Sequence, residues 1–210
     1  MIIWCRGRRL SWVDFGGSGA TMLALHGSFG RASVFAPLAE RLTTRMRLVA
    51  LDQRGHGMAD HGGPFTREEF VADATAVIGT LGLGPVLVLG HSLGGITAYQ
   101  LAARYPELVR ALVIEDDEMM DVQRHGLGDW WPDWLGSTCP ALLLRGARST
   151  LLPSGLAADM VHRRPHTTLV EFPTAGHWIH DDDPDGCANA ILNFLPTLCL
   201  PTLCLPTLTR

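Results

Sequence analysis

Seven short apolar runs, each broken by a glycine or a charged residue, constrain this chain more than any other feature. They are "RRLSWVDFG", "TMLALHG", "MRLVALD", "PVLVLG", "RALVIE", "PALLLRG" and "TTLVEF". Apolar stretches of this length suit strands buried on both faces of a parallel sheet. Helical patterns lie between them. The clearest covers residues 66–81, with Phe70, Ala74, Val77, Ile78 and Leu81 on one face and Thr66 with Glu69 as a capping box at the start. "SVFAPLAERL", "GGITAYQLAARY", "GLAADMVHRR" and "PDGCANAILNFL" read as further helices. Strand and helix in alternation predict a doubly wound α/β sheet with helices on both faces.

Two segments interrupt the alternation. Residues 117–139, "DEMMDVQRHGLGDWWPDWLGSTC", concentrate tryptophan with Gly, Pro and Asp and predict an irregular or partly helical excursion. Residues 196–210 repeat "LPTLC", where a proline every five residues forbids a continuous helix, so this stretch reads as a low-complexity tail outside the domain of residues 1–195. At 210 residues and 47% hydrophobic content, the chain can bury one sizeable core.

Composition narrows the partners. A net charge of -4, with no basic cluster beyond "RGRR" at residues 6–9, supplies no field for nucleic acid or an anionic membrane, and a small-molecule substrate is expected. No apolar run approaches the roughly 18 residues that cross a bilayer. The five cysteines, Cys5, Cys139, Cys187, Cys199 and Cys204, are odd in number and form no C-x-x-C pair, so reduced thiols and a cytoplasmic location are expected. Nothing here fixes an oligomeric state.

One run ends unusually. "VLVLGHSLGG", residues 86–95, passes from apolar strand into Gly90-His91-Ser92-Leu93-Gly94 and then into a helical segment. A G-x-S-x-G string between strand and helix forces the serine into a tight turn with its hydroxyl at the sheet's carboxyl edge. A serine needs a neighbouring base, and "FPTAGHWIHDDDP" offers His177 on a loop after a late strand. His26, His56 and His91 adjoin motif glycines and read as backbone-shaping groups. His162 and His166 have helical ligand spacing, but Pro165 between them breaks it, and no metal site is expected.

"LALHGSFG", "LDQRGHGMAD", "GHSLGG" and "GHWIHDDDP" follow one another in an order that resembles the α/β-hydrolases, over residues 10–195. The resemblance implies a mostly parallel sheet of about eight strands and a cofactor-independent enzyme. It makes Ser92 the nucleophile and His177 the general base and acid. The amides of Leu93 and Ser28 would form the oxyanion hole, with Phe29 as an alternative donor to Ser28. Asp52, Arg54 and His56 would be structural.

The chain departs from the family pattern in two places. Many members carry the triad acid as G-x-x-D after the seventh strand, where this chain has Gly146-Ala147-Arg148-Ser149. Some relatives take it from the end of the sixth strand, and "RALVIEDDE" offers Asp116 first, with Asp117 and Glu115 as alternatives. The second departure is the cap, which the family commonly makes longer than residues 117–139 allow. A minimal cap implies an open site, for which Phe29, Met119, Met120, Trp130, Trp131 and Trp134 are candidate pocket walls. The implied activity is hydrolysis of a small ester, thioester or lactone through an acyl-enzyme. Perhydrolase-like or C–C bond hydrolase chemistry on the same residues, and a non-catalytic binding or decayed homologue, are the alternatives.

Overall fold

The computed structural model describes residues 1–117 and 129–198. Eight strands form one sheet: β1 (Ile2–Cys5), β2 (Arg8–Gly16), β3 (Thr21–Leu25), β4 (Arg47–Asp52), β5 (Val86–His91), β6 (Val109–Glu115), β7 (Ala141–Gly146) and β8 (Thr167–Phe172). Their order is β1-β2-β4-β3-β5-β6-β7-β8. Strands from β4 to β8 run parallel, and β2 pairs antiparallel with both β1 and β4. The seven apolar runs are β2 to β8. The additional strand is β1, which pairs with β2 across the turn at Arg6 and Gly7.

The runs of β3 to β7 are largely apolar because both of their faces are covered, whereas β2 and β8 carry polar residues and are only partly buried. Leu23, Leu25, Val49, Leu51, Val88 and Ile114 point to one layer; Met22, Ala24, Leu48, Ala50, Leu89 and Val113 point to the other. The first layer holds α2 (Arg67–Thr80), α3 (Leu93–Arg104), α4 (Trp131–Gly136) and α5 (Ser154–Arg163). The second holds α1 (Ala36–Leu42), α6 (Ile179–Asp182) and α7 (Pro184–Phe194). No helix among the described residues is long and apolar enough to cross a membrane.

Helix α2 begins and ends as its pattern predicts and buries Phe70, Ala74, Val77 and Ile78. Its capping box does not form. Thr66 holds the N-cap position without a side-chain cap bond, and Glu69 turns instead to Arg54, whose Nη2 donates to it at 2.7 Å. A buried guanidinium outcompetes the exposed helix end for that carboxylate, since charge-assisted bonds are the stronger ones.

Strand order places the chemistry. The chain runs from β3 to β4 on one side, then crosses to β5 on the other side of β3. Ligands of open α/β sheets bind outside the carboxyl ends of strands at such a reversal. In register, Leu25 faces Gly90 and His91 faces Glu115, so the chain leaves β3, β5 and β6 at nearly one level.

Candidate active site

Ser92 is the first residue beyond β5, at φ 52° and ψ -117°. For a residue with a Cβ this backbone is strained by roughly 1–3 kcal/mol, and it persists because its surroundings leave no alternative. A β-carbon on Gly94 would lie 2.0 Å from the Leu25 carbonyl oxygen, and one on Gly90 would lie 2.3 Å from that of Gly94. The two motif glycines therefore let the elbow press onto the end of β3. A β-carbon on Gly27 would stand 3.0 Å from that of Ser92, which brings the turn after β3 against the serine.

That turn is closed by the Gly30 amide donating to the Gly27 carbonyl at 3.1 Å, with Phe29 at φ 63°. Asp52 holds it from below. Its carboxylate accepts from the Ala32 amide at 2.6 Å, the Met58 amide at 3.0 Å and the Ser11 hydroxyl, so it joins the loops after β3 and β4. Arg54 is fully buried against Asp73, to which Nε and Nη2 each donate at 2.8 Å. These are structural duties, as expected for both. As the first residue of α3, Leu93 has an amide without an intrahelical acceptor, at the positive end of the helix.

The His177 Nδ1 lies 2.7 Å from Asp116 Oδ2. Asp116 is wholly buried, at φ 42°, and its Oδ1 accepts from the Gly146 amide at 3.2 Å. Ser149, which stands where many members carry the acid, donates its hydroxyl to Asp116 Oδ2. Both acid positions therefore converge on one point beside the imidazole. With Nδ1 donating to the carboxylate, Nε2 keeps the lone pair.

The alternative acids lie elsewhere. Glu115 faces His180, accepting from its backbone amide at 2.8 Å and from Nδ1 at 2.8 Å. Asp117 is buried over α3, its β-carbon 3.4 Å from where one on Gly95 would stand.

The expected pocket walls need correction. Trp134 is completely buried under α3 and α5, donating Nε1 to the Met160 carbonyl at 3.1 Å and meeting Tyr99 edge to face. Trp131 lies beneath the Arg163 guanidinium, 3.9 Å from its ring centroid. Helix α5 runs back from the catalytic edge and ends at Arg163, so these rings serve the core near the amino edge of the sheet. Trp130 packs against the same cluster. Phe29 is 99% exposed at the tip of its turn. Met119 and Met120 lie outside the described residues.

Two histidines beside motif glycines are wholly buried and held neutral. Burial pushes His26 down to about 4 and His91 to about 3. His26 accepts the Gln53 amide at Nε2 (3.0 Å), and His91 Nε2 meets the His177 carbonyl at 2.9 Å. The unfolded chain takes up protons at both positions below about pH 6.5 while the folded chain does not. Stability present above that pH is therefore lost as the pH falls toward 4 and 3. The urea midpoint should drop between pH 7 and pH 4.5 by an amount equivalent to a few kcal/mol, and an unchanged midpoint would refute this.

Comparison with known proteins gives consistent results. The sequence model of the family described as alpha/beta hydrolase fold matches residues 20–138. The 2-(acetamidomethylene)succinate hydrolase of Mesorhizobium japonicum is 26% identical over 247 aligned residues, covering 85% of this chain and 89% of that protein. That alignment is longer than this 210-residue chain, so the relative carries stretches without a counterpart here. Lipase LipV of Mycobacterium tuberculosis is 38% identical over 171 residues, covering 81% of this chain and 56% of that protein. The crystal structure of E-2-(acetamidomethylene)succinate hydrolase superposes with a TM-score of 0.84 at 25% identity, over 93% of this chain and 98% of the other.

Proposed function

The chain belongs to the alpha/beta hydrolase fold family, and from that premise we propose that it is a serine hydrolase cleaving a small ester, thioester or lactone through an acyl-enzyme. The observation that carries this reading is the 2.7 Å contact between His177 Nδ1 and Asp116 Oδ2, with the His177 ring centred 4.5 Å from that of His91, the residue before a serine held in a strained elbow. In the proposed reaction Ser92 Oγ attacks the carbonyl carbon while His177 Nε2 takes its proton. The tetrahedral oxyanion is held by the amides of Leu93 and Ser28. The imidazolium, stabilised by Asp116, returns the proton to the leaving alcohol or thiol, and the acyl group remains on Ser92. Water, deprotonated by the same nitrogen, then releases the acid.

The hydrolase and lipase names of the relatives support this class of reaction. A fluorophosphonate probe followed by peptide mass spectrometry tests the proposal: Ser92 is expected to be the modified residue, and an unmodified Ser92 would sink it.

Substrate size follows from the short connection between β6 and β7. Residues 117–139 offer little chain to enclose a long acyl group, so p-nitrophenyl acetate and butyrate should give higher kcat/KM than esters of long fatty acids. A preference for acyl chains beyond about twelve carbons would contradict the open site.

A further inference from the structure

Each of Ser92 and Asp116 is preceded by the last residue of its strand, His91 or Glu115, and these two are paired in register. Both reach the loop that carries His177. His91 Nε2 meets the His177 carbonyl at 2.9 Å, and its ring is centred 4.5 Å from the His177 ring and 4.6 Å from that of Trp178, tilted by 47° and 45°. Glu115 takes the other end of the same short span, accepting from the His180 amide at 2.8 Å and from His180 Nδ1 at 2.8 and 2.9 Å. The loop is also pressed against β7, where a β-carbon on Gly146 would lie 1.9 Å from the Gly176 carbonyl oxygen.

Stability alone accounts poorly for Glu115 and His180. Both side chains are wholly buried, and an ion pair in such a place is often no more stabilising than well-packed apolar residues of the same volume. Such a pair does supply a fixed distance and direction. We propose that Glu115 and His180 are positioning residues for His177, clamping its loop to the end of β6 so that one strand end supplies both the carboxylate that bonds the imidazole and the one that fixes the loop bearing it. The pair acts on the imidazole through the backbone between residues 177 and 180. The charge relation agrees with this geometry: burial alone would push the Glu115 carboxyl up, yet the His180 charge and hydrogen bonds bring it down to about 2, and Glu115 raises His180 in return. The proposal rests on the reading of Ser92, His177 and Asp116 as a triad.

The test is Glu115→Gln, read by ester kinetics and by the downfield proton NMR signal of the His177–Asp116 hydrogen bond, assigned by its loss in Asp116→Asn. In folded Glu115→Gln protein, kcat should fall by about 10 to 10²-fold with KM within about twofold, as for a catalytic group displaced by a fraction of an ångström to an ångström. The downfield signal should broaden or vanish. Wild-type kcat with an unchanged signal overturns the proposal, and so does a wild-type protein that lacks the signal. If Glu115→Gln fails to fold, His180→Asn and His180→Ala carry the test. The asparagine amide nitrogen overlays Nδ1 and can still bond Glu115, so His180→Asn should keep the signal that His180→Ala loses; equal signals in the two variants overturn the proposal. A wild-type protein inert toward esters yet showing the signal would remove the hydrolase reading and leave the NMR comparison to decide this one.

Discussion

Ser92→Ala is expected to abolish ester turnover and fluorophosphonate labelling, with kcat lowered on the order of 10⁶-fold, while the protein keeps its circular dichroism spectrum and melts within a few degrees of wild type. The two halves of this result have separate causes. Ser92 Oγ makes no capping bond to the helix it precedes, so its removal costs α3 no cap. The strained backbone at φ 52° stays, because it is set by the close approach of Gly90 and Gly94 to neighbouring carbonyls rather than by the hydroxyl. Without the oxygen nucleophile no acyl-enzyme forms, and only binding and the oxyanion amides remain, worth roughly 10³ to 10⁴ over water. Ester hydrolysis at the wild-type rate in this variant would refute the serine-hydrolase reading outright.

What the sequence discloses follows from which forces act locally. A strand covered on both faces must be apolar at consecutive positions, so "VLVLG" and "ALLLRG" declare themselves as β5 and β7 without knowledge of their neighbours. Strand β1 does not. Ile2 and Trp4 are exposed on the sheet edge, and its four residues are too few for an alternation to register. The elbow was legible because its glycines answer to backbone sterics a few residues away. The tryptophans misled because an aromatic ring reports burial and not direction. Trp134 is spent on Tyr99 and Met160, contacts that only the docking of α4 beneath α3 and α5 creates. The capping box at Thr66 failed for a similar reason, since Arg54, distant in the chain order of the motif, claims Glu69.

His180 is the functional residue that motif reading passed over. "GHWIHDDDP" contains it in plain sight, three positions after His177, yet its partner is set by the register of β5 against β6, which brings Glu115 level with His91. The run Glu115-Asp116-Asp117 looks like three interchangeable carboxylates in sequence. In the fold each meets a different neighbour: Glu115 meets His180, Asp116 meets His177, and Asp117 lies over Gly95. Successive side chains at a strand's end diverge, so neighbouring positions can take unrelated duties.

That divergence underlies the second large effect. Asp116→Asn should lower kcat by roughly 10³ to 10⁴, equivalent to about 4 to 5.5 kcal/mol of transition-state stabilisation. The Gly146 amide, 3.2 Å from Oδ1, selects an oxygen at that position, so the asparagine NH2 takes the place of Oδ2 and faces His177 Nδ1. Nδ1 must then accept, the ring proton moves to Nε2, and the nitrogen that would take the serine's proton has none of its lone pair left to offer. Asp117→Asn should cost far less than this, and Glu115→Gln at least tenfold less. Because the Ser149 hydroxyl already touches Asp116 Oδ2, Ser149→Asp brings a carboxylate to the same side of the imidazole. Added to Asp116→Asn, it should restore part of the lost rate by returning the proton to Nδ1. Retained activity in Asp116→Asn, with collapse in Glu115→Gln or Asp117→Asn instead, would assign the acid to a different residue of the run.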